Sequence, residues 1–287
     1  MASASGCIRR GDFVYVVGDD ELFLAVFELS SGASGHLRRA LTGELPGEHA
    51  ERSQAKADLE ALTCLPPFEG AENGALLGIG SGSGRGRDRG FFWPLAAEGS
   101  LAGEPTEIDL SPVYGLLRKE ITEMNLEGAA VVEDRLWLLQ RGNRADSANL
   151  VAELSLARVM RSMVGDHAID AEELLDLREY DLGELDGVRL AFSDANSLAD
   201  GTLVFTASAE SDVEGEPDGQ IRGSVVGTID RRGEVHRLRT IDRQWKVEGV
   251  HATLEAGIID LLFVCDQDDP DVASPLLSGT IPAAIRR

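Results

Sequence analysis

Four stretches of this chain open in the same way, and that recurrence constrains its fold more than any other feature. DLEALTCLPPFEGAENGALLGIGSGSG begins at Asp58, NLEGAAVVEDRLWLLQRGN at Asn125, FSDANSLADGTLVFTASAE at Phe192 and KVEGVHATLEAGIIDLLFVCDQDD at Lys246. Each sets an acid before a small residue, then a short strand, a turn, a second apolar strand and a polar loop. The acids are Glu60, Glu127, Asp194 and Glu248, spaced by 67, 67 and 54 positions. A fifth copy, SGCIRRGDFVYVVGDD, opens the chain with Ala4 where the others carry the acid. A third strand follows in each copy (LFLAVFEL, GFFWPL, NLVAELSLARV, IRGSVVGTID, SPLLSGTIP), and a fourth is read at 35–41, 106–110, 177–182 and 234–242. Gly11-Asp12, Glu133-Asp134 and Asp200-Gly201 fall between first and second strands, where tight hairpin loops need positive φ.

Antiparallel four-stranded units repeated in register are the sequence form of a β-propeller. The reading is an all-β chain, one domain over residues 1–287, with five blades of four antiparallel strands. Six blades is the alternative count, and a β-sandwich is the competing architecture, disfavoured by the in-register recurrence. Five copies in 287 residues overrun the roughly 40–50 residues of an ordinary blade, so insertions are expected. IDAEELLDL reads as a short helix with Asp170 and Glu173 as a capping box. SPVYGLLRKE reads as a helical turn capped by Ser111 with Pro112 in first position, and 43–58 reads as a surface connection. Because blade one lacks its acid and the fifth copy runs short, the chain ends are expected to meet in one mixed blade.

Composition removes several classes. Fifty acids against 27 bases give a net charge of −23, which repels nucleic acid and anionic membrane; neither is expected as a partner. No stretch approaches the roughly 18 apolar residues that span a bilayer, and MASASGCIRRGDF lacks the apolar segment of a signal peptide. Cys7, Cys64 and Cys265 match no zinc spacing and lie in or beside apolar runs, so they read as reduced thiols. A cytoplasmic location is expected. Of the bases only Lys56, Lys119 and Lys246 are lysines, read here as compositional bias. GIGSGSGRGRDRG is glycine-rich but leads into the strand FFW rather than a helix, no G-x-S-x-G occurs, and the five histidines form no paired motif. Nucleotide-loop and serine-hydrolase chemistry are set aside.

The innermost strand of each blade lines the channel of a propeller, and the loop into it opens on the same face as the loop between strands two and three. Glu60, Glu127, Asp194 and Glu248 therefore converge on the channel mouth. Crowded carboxylates either take up protons or hold a cation, and oxygen-only ligands favour a hard divalent ion, calcium first. The opposing reading is that each acid pairs with an arginine or caps backbone amides. Arg85, Arg87, Arg141 and Arg144 are the arginines available. The same loops offer Arg85, Arg87, Arg141, Asn143 and Asp266 as substrate-binding groups, the guanidiniums being suited to forked hydrogen bonds with an anion.

The acid-glycine pairs at blade starts, in NLEGAAV and KVEGVH, resemble those of the phytase-like and gluconolactonase-like (senescence-marker) propellers. The resemblance spans most of the chain as a repeat pattern. It implies a divalent metal on Glu60, Glu127, Asp194 and Glu248. The acid missing from blade one and the lack of a basic phosphate cluster depart from the phytase pattern. Two functions stay open: a metal-dependent hydrolase of a small, anionic ester or lactone, and a non-catalytic ligand-binding or scaffold propeller whose acids are structural.

Overall fold

In the computed structural model, which describes residues 1–142, 147–211, 220–266 and 272–283, five antiparallel sheets stand around a central channel. The first blade is β1 (Ala4–Arg10), β2 (Phe13–Gly18), β3 (Phe23–Glu28) and β4 (His36–Arg39). The second is β5 (Leu59–Leu65), β6 (Ala75–Gly80), β7 (Arg89–Pro94) and β8 (Thr106–Asp109). The third is β9 (Leu126–Val132), β10 (Arg135–Gln140), β11 (Asn149–Ser155) and β12 (Leu174–Tyr180). The fourth adds a two-residue strand, β13 (Glu184–Leu185), before β14 (Val188–Ser197), β15 (Leu203–Ser211), β16 (Gln220–Ile229) and β17 (Val235–Asp242). The fifth has three strands, β18 (Lys246–Glu255), β19 (Ile258–Asp266) and β20 (Leu276–Pro282). The five-bladed propeller of the sequence reading is therefore present.

Turn chemistry sets each first hairpin. Gly11, Glu133, Gly201 and Gly257 adopt φ of 58°, 54°, 79° and 79°, the left-handed backbone that short antiparallel loops require. Each innermost strand then packs on the innermost strand of the next blade, β1 on β5, β5 on β9, β9 on β14, β14 on β18 and β18 on β1. One apolar cluster fills each gap between blades. Helix α1 (His49–Ala55) lies in the connection between blades one and two, and the gap between blades two and three is the broadest because two further helices add to it. Helix α2 (Ser111–Glu120) buries Val113, Tyr114 and Leu117, and α3 (Leu156–Gly165) buries Leu156, Val159 and Met163. The gap between blades five and one holds mostly small side chains, Ala4, Cys7, Val14, Val16, Ala25 and Val264.

Four local expectations are corrected. Residues 149–159 are a strand only as far as Ser155; the spacing Leu156, Val159, Met160, Met163 then continues as α3, with its apolar stripe on the core. IDAEELLDL forms a single 3-10 turn at Ala171–Glu173 and then enters β12, because its leucines pair in the sheet. Ser111 is the first residue of α2 and not its cap; Leu110 holds the N-cap position, and Asp109 Oδ1 accepts the Ser111 N–H at 2.8 Å. Finally, among the described residues no sheet mixes strands from the two ends. Blade one is completed by N-terminal strands alone. The ring closes by packing, an isolated bridge between Ser3 and Asp266, and hydrogen bonds from Ala4 N–H to Ser274 Oγ (3.0 Å) and from Ser274 N–H to the Met1 carbonyl (3.0 Å).

Candidate pore-mouth site

A β-bulge sits at the entrance of all five innermost strands. The ladder to the second strand skips one residue in each blade: Ser5, Glu60, Glu127, Ser193 and Glu248. A bulged residue leaves the strict up-down alternation of a strand, so its side chain can be aimed without disturbing the ladder. These five positions, and not the four acids of the sequence reading, are the structurally equivalent ones. Asp194 lies one residue beyond the ring position of blade four, which is Ser193.

The small residue after the bulge also has a cause. A Cβ on Gly6 would lie 2.9 Å from the Leu62 nitrogen of blade two, one on Gly128 would lie 3.1 Å from the Asp194 Cα, and one on Gly249 would lie 2.8 Å from the Ser5 carbonyl oxygen. Neighbouring inner strands approach too closely here for side chains. Asp194 occupies the corresponding place in blade four. It spans the gap with its carboxylate: Oδ2 accepts the Val250 N–H at 2.8 Å, and Asn196 Oδ1 two residues on accepts the Ala252 N–H at 3.2 Å. Blade four is thus stitched to blade five through backbone amides. Burial pushes the Asp194 carboxyl well above the usual carboxylate range, with the Val250 and Ala195 amides pulling the other way.

Arg141, directly after β10, is 5% exposed and gathers three carboxylates from three blades. Its Nη1 lies 3.2 Å from Glu127 Oε1 and 3.8 Å from Glu248 Oε1, and its Nη2 donates to Glu210. Asn125 Nδ2 donates to Glu127 Oε1 at 2.6 Å, and Lys246 Nζ lies 3.1 Å from Glu248 Oε1. Burial pushes the Glu127 carboxyl up to about 7, opposed by Arg141 and reinforced by Glu248. Glu248 Oε2 is buried without a hydrogen-bond partner among the described residues.

A second cluster lies at the same mouth between blades one and two. Asp58, in left-handed backbone at φ 57°, turns Oδ1 to Lys56 Nζ (3.0 Å). Its Oδ2 accepts from Ser81, from Ser83 Oγ (3.1 Å) and from Arg87 Nη1 (2.7 Å). Lys56 also pairs with Asp19 and with Asp20 at 3.3 Å. Glu60 stands beside them with no side-chain hydrogen bond or ion pair among the described residues. Burial drives its carboxyl well above the usual range, and the charges of Glu127, Asp58, Asp19 and Glu248 add to the push. Carboxylate oxygens of Asp19, Asp58 and Glu60 lie within 4.8 Å of one another. A cavity of about 620 Å³ opens on Asp58, Glu60, Ser83, Arg87, Arg118 and Asn125. Helix α2 holds its far wall: Tyr114 Oη donates to the Gly80 carbonyl (2.6 Å), and Arg118 Nη2 donates to the Gly82 carbonyl (2.7 Å).

The structure thus brings Glu60, Glu127 and Glu248 to one ring and Asp194 beside it. Of the proposed substrate-binding residues, Arg87 lines the cavity, and Arg85 is exposed on the same loop. Arg141 is buried under the acids, Asp266 lies at the ring closure opposite Ser3, and Asn143 falls outside the described residues. Sequence reasoning passed over Asp58, Lys56 and Lys246. Their signal was the scarcity of lysine: two of three lysines in the chain stand against the pore acids.

A family model matches residues 1–281. The chain belongs to the family of unknown function DUF6929. No curated protein sequence matches this DUF6929 chain. Solved structures similar to it include a luciferin-regenerating enzyme (11% identity, covering 97% of this chain and 91% of that one, TM-score 0.46). An alpha-L-arabinofuranosidase from Podospora anserina, in complex with cellotriose, matches at 10% identity over 98% of this chain and 91% of that one, TM-score 0.49. A bifunctional GH43-CE protein of Bacteroides eggerthii matches at 12% identity over 98% of this chain and 33% of that one, TM-score 0.50. At such identities the likeness is one of fold.

Proposed function

We propose that the pore mouth of this propeller binds a small, polar, anionic molecule together with a divalent cation, and that its chemistry is hydrolytic, on an ester or lactone. The observation that carries the reading is Glu60: it is the one acid of the ring without a partner among the described residues, and it faces a cavity of about 620 Å³. The donor set suits a hard cation. Asp19, Asp58 and Glu60 offer only oxygens at mutual distances a single ion can bridge. With Glu60 ionised, Asp19, Asp20, Asp58 and Glu60 would set four carboxylates against Lys56 and Arg87, and a bound ion would hold Glu60 in that form against the burial that favours its protonation. Three of the four acids of the sequence reading are engaged, Glu127 and Glu248 by Arg141 and Asp194 by Val250, and an ion at Asp19, Asp58 and Glu60 would have to displace Lys56 from the first two.

When bound, the cation would polarise a substrate oxygen and acidify a water. The chain's own groups do the rest. Arg87 and Arg118 line the cavity, paired with Asp58 and Asp88, and are the cations an anionic part of a substrate would meet there. Glu60 presents the carboxylate that takes a proton at the cavity face, where burial already favours its protonated form. Asp58, fixed by two serines and two cations, keeps Arg87 oriented.

The test is thermal. Calcium, magnesium and manganese are titrated into chelator-treated protein. An ion at roughly 100 times its Kd stabilises by about 2.7 kcal/mol, which appears as a rise of several degrees. Glu60→Gln should abolish the rise. If none of the three ions moves the melting curve, Lys56 is the resident cation and the metal-dependent reading fails.

A further inference from the structure

Among the described residues blade five has three strands, and the outer edge of the third differs from the outer edges of the other blades. The outermost strands elsewhere carry charge: HLRR in β4, TEID in β8, LLDLREY in β12 and VHRLRTID in β17. Charged side chains at a sheet edge prevent strands of other molecules from adding to it. β20, LLSGTIP, has none, in a chain that is 27% charged. Leu276 on this edge strand is 53% exposed, and Ile258 beside it is 47% exposed.

The hydrogen-bond pattern shows which groups the edge offers. Cys265 N–H donates to the Pro275 carbonyl (3.3 Å) and Ala283 N–H to the Gly257 carbonyl (2.8 Å). Antiparallel partners alternate along the ladder, so residues 275, 277, 279, 281 and 283 bond inward to β19. Leu276, Ser278 and Thr280 turn both N–H and carbonyl outward, and no strand among the described residues meets them. Pro282 ends the row with no N–H to offer.

We infer that β20 is a self-association edge, on which a second copy of this chain supplies the missing fourth strand. The row is self-complementary. A two-fold axis at Ser278 sets Ser278 against its own copy and Leu276 against Thr280 in each direction, so all three outward N–H groups meet outward carbonyls. This is the isologous contact of a symmetric dimer, made by strand addition. A net charge of −23 per copy opposes any encounter, and the uncharged strand is where two copies meet with least repulsion. Raised salt therefore strengthens the dimer by screening.

The full chain is examined by light scattering and sedimentation from low to high micromolar concentration, in low and in high salt. The expected result is a monomer–dimer equilibrium that tightens with salt. Ser278→Lys and Thr280→Lys, placed on the exposed edge, should each weaken it by about tenfold or more while leaving the melting temperature of dilute protein unchanged. Amide exchange at Leu276, Ser278 and Thr280 should slow as concentration rises. A wild-type chain that stays monomeric in high salt overturns the proposal. So does a dimer that both lysine variants leave intact, which would place the contact elsewhere.

Discussion

Arg141→Met is the sharpest test of how the pore acids are held. The guanidinium faces Glu127, Glu210 and Glu248, and two of these are no more than 5% exposed. Removing one partner of a buried ion pair costs about 3–5 kcal/mol, because the remaining charge stays desolvated. Two features pull this case toward the lower value. Glu127 already titrates at about 7 and sheds its charge readily, and Lys246 stays on Glu248. The expected loss is therefore about 3 kcal/mol at pH 8. It should shrink as pH falls toward 5, where protonation relieves the stranded carboxylates. Urea unfolding of wild type, Arg141→Met, Glu127→Gln and the double variant at both pH values gives the measurement. The double variant should be less destabilised than the sum of the singles, by about 1 kcal/mol or more. A loss under about 1 kcal/mol at pH 8, or one that does not change with pH, refutes the clamp.

The remaining predictions address other parts of the ring. Glu127 is raised from 4.5 to about 7 on folding, so the folded state holds its proton more tightly than the unfolded chain. Its contribution to stability is complete below the unfolded value and is lost between about pH 4.5 and 7, some 3 kcal/mol in all; Glu127→Gln should flatten that slope in chemical denaturation. Gly249→Ala drives a Cβ to 2.5 Å from Val264 Cγ2 and 2.8 Å from the Ser5 oxygen and should cost about 1–3 kcal/mol. Gly115→Ala, in α2 with nothing within 4 Å, should stabilise by about 0.5–1 kcal/mol. Asp194→Ala should lose about 1–3 kcal/mol by stranding the Val250 amide. Asp194→Asn, which keeps an acceptor, should lose much less in the same unfolding assay.

The propeller was legible because its evidence is periodic: strand, turn and strand recur with turn residues at fixed places, and no single copy has to be read correctly. The site was legible only in part. Aligning the copies on the polar-then-small step matches Ser5-Gly6 to Glu127-Gly128 but also selects Asp194-Ala195, so the sequence puts Asp194 in the ring, and only the strand pairing, which skips Ser193, shows the true register. The acid-glycine pair joins two separate demands, a bulge that aims a side chain and a bare backbone that lets the next blade approach. Arg141 could be named from its loop but not placed, since a loop arginine and a buried one look alike until the strands close around it. Helix α3 was hidden for a similar reason: LARV continues the apolar run of β11, and only the later Met163 reveals the helical spacing.

The thin packing between blades one and five has a mechanical consequence. The other gaps interlock through leucines, phenylalanines or, between blades four and five, the Asp194 carboxylate and Asn196 carboxamide stitched to backbone amides. The last gap holds alanine, valine and a cysteine, with a single partly buried leucine, Leu262, against them. A disc of this construction behaves as a split washer. Gentle heating or pressure should part it along that line first, with all five sheets intact, and widen the channel before any blade is lost. Protection of the amides in β1 and β18 would then fall together, ahead of β9.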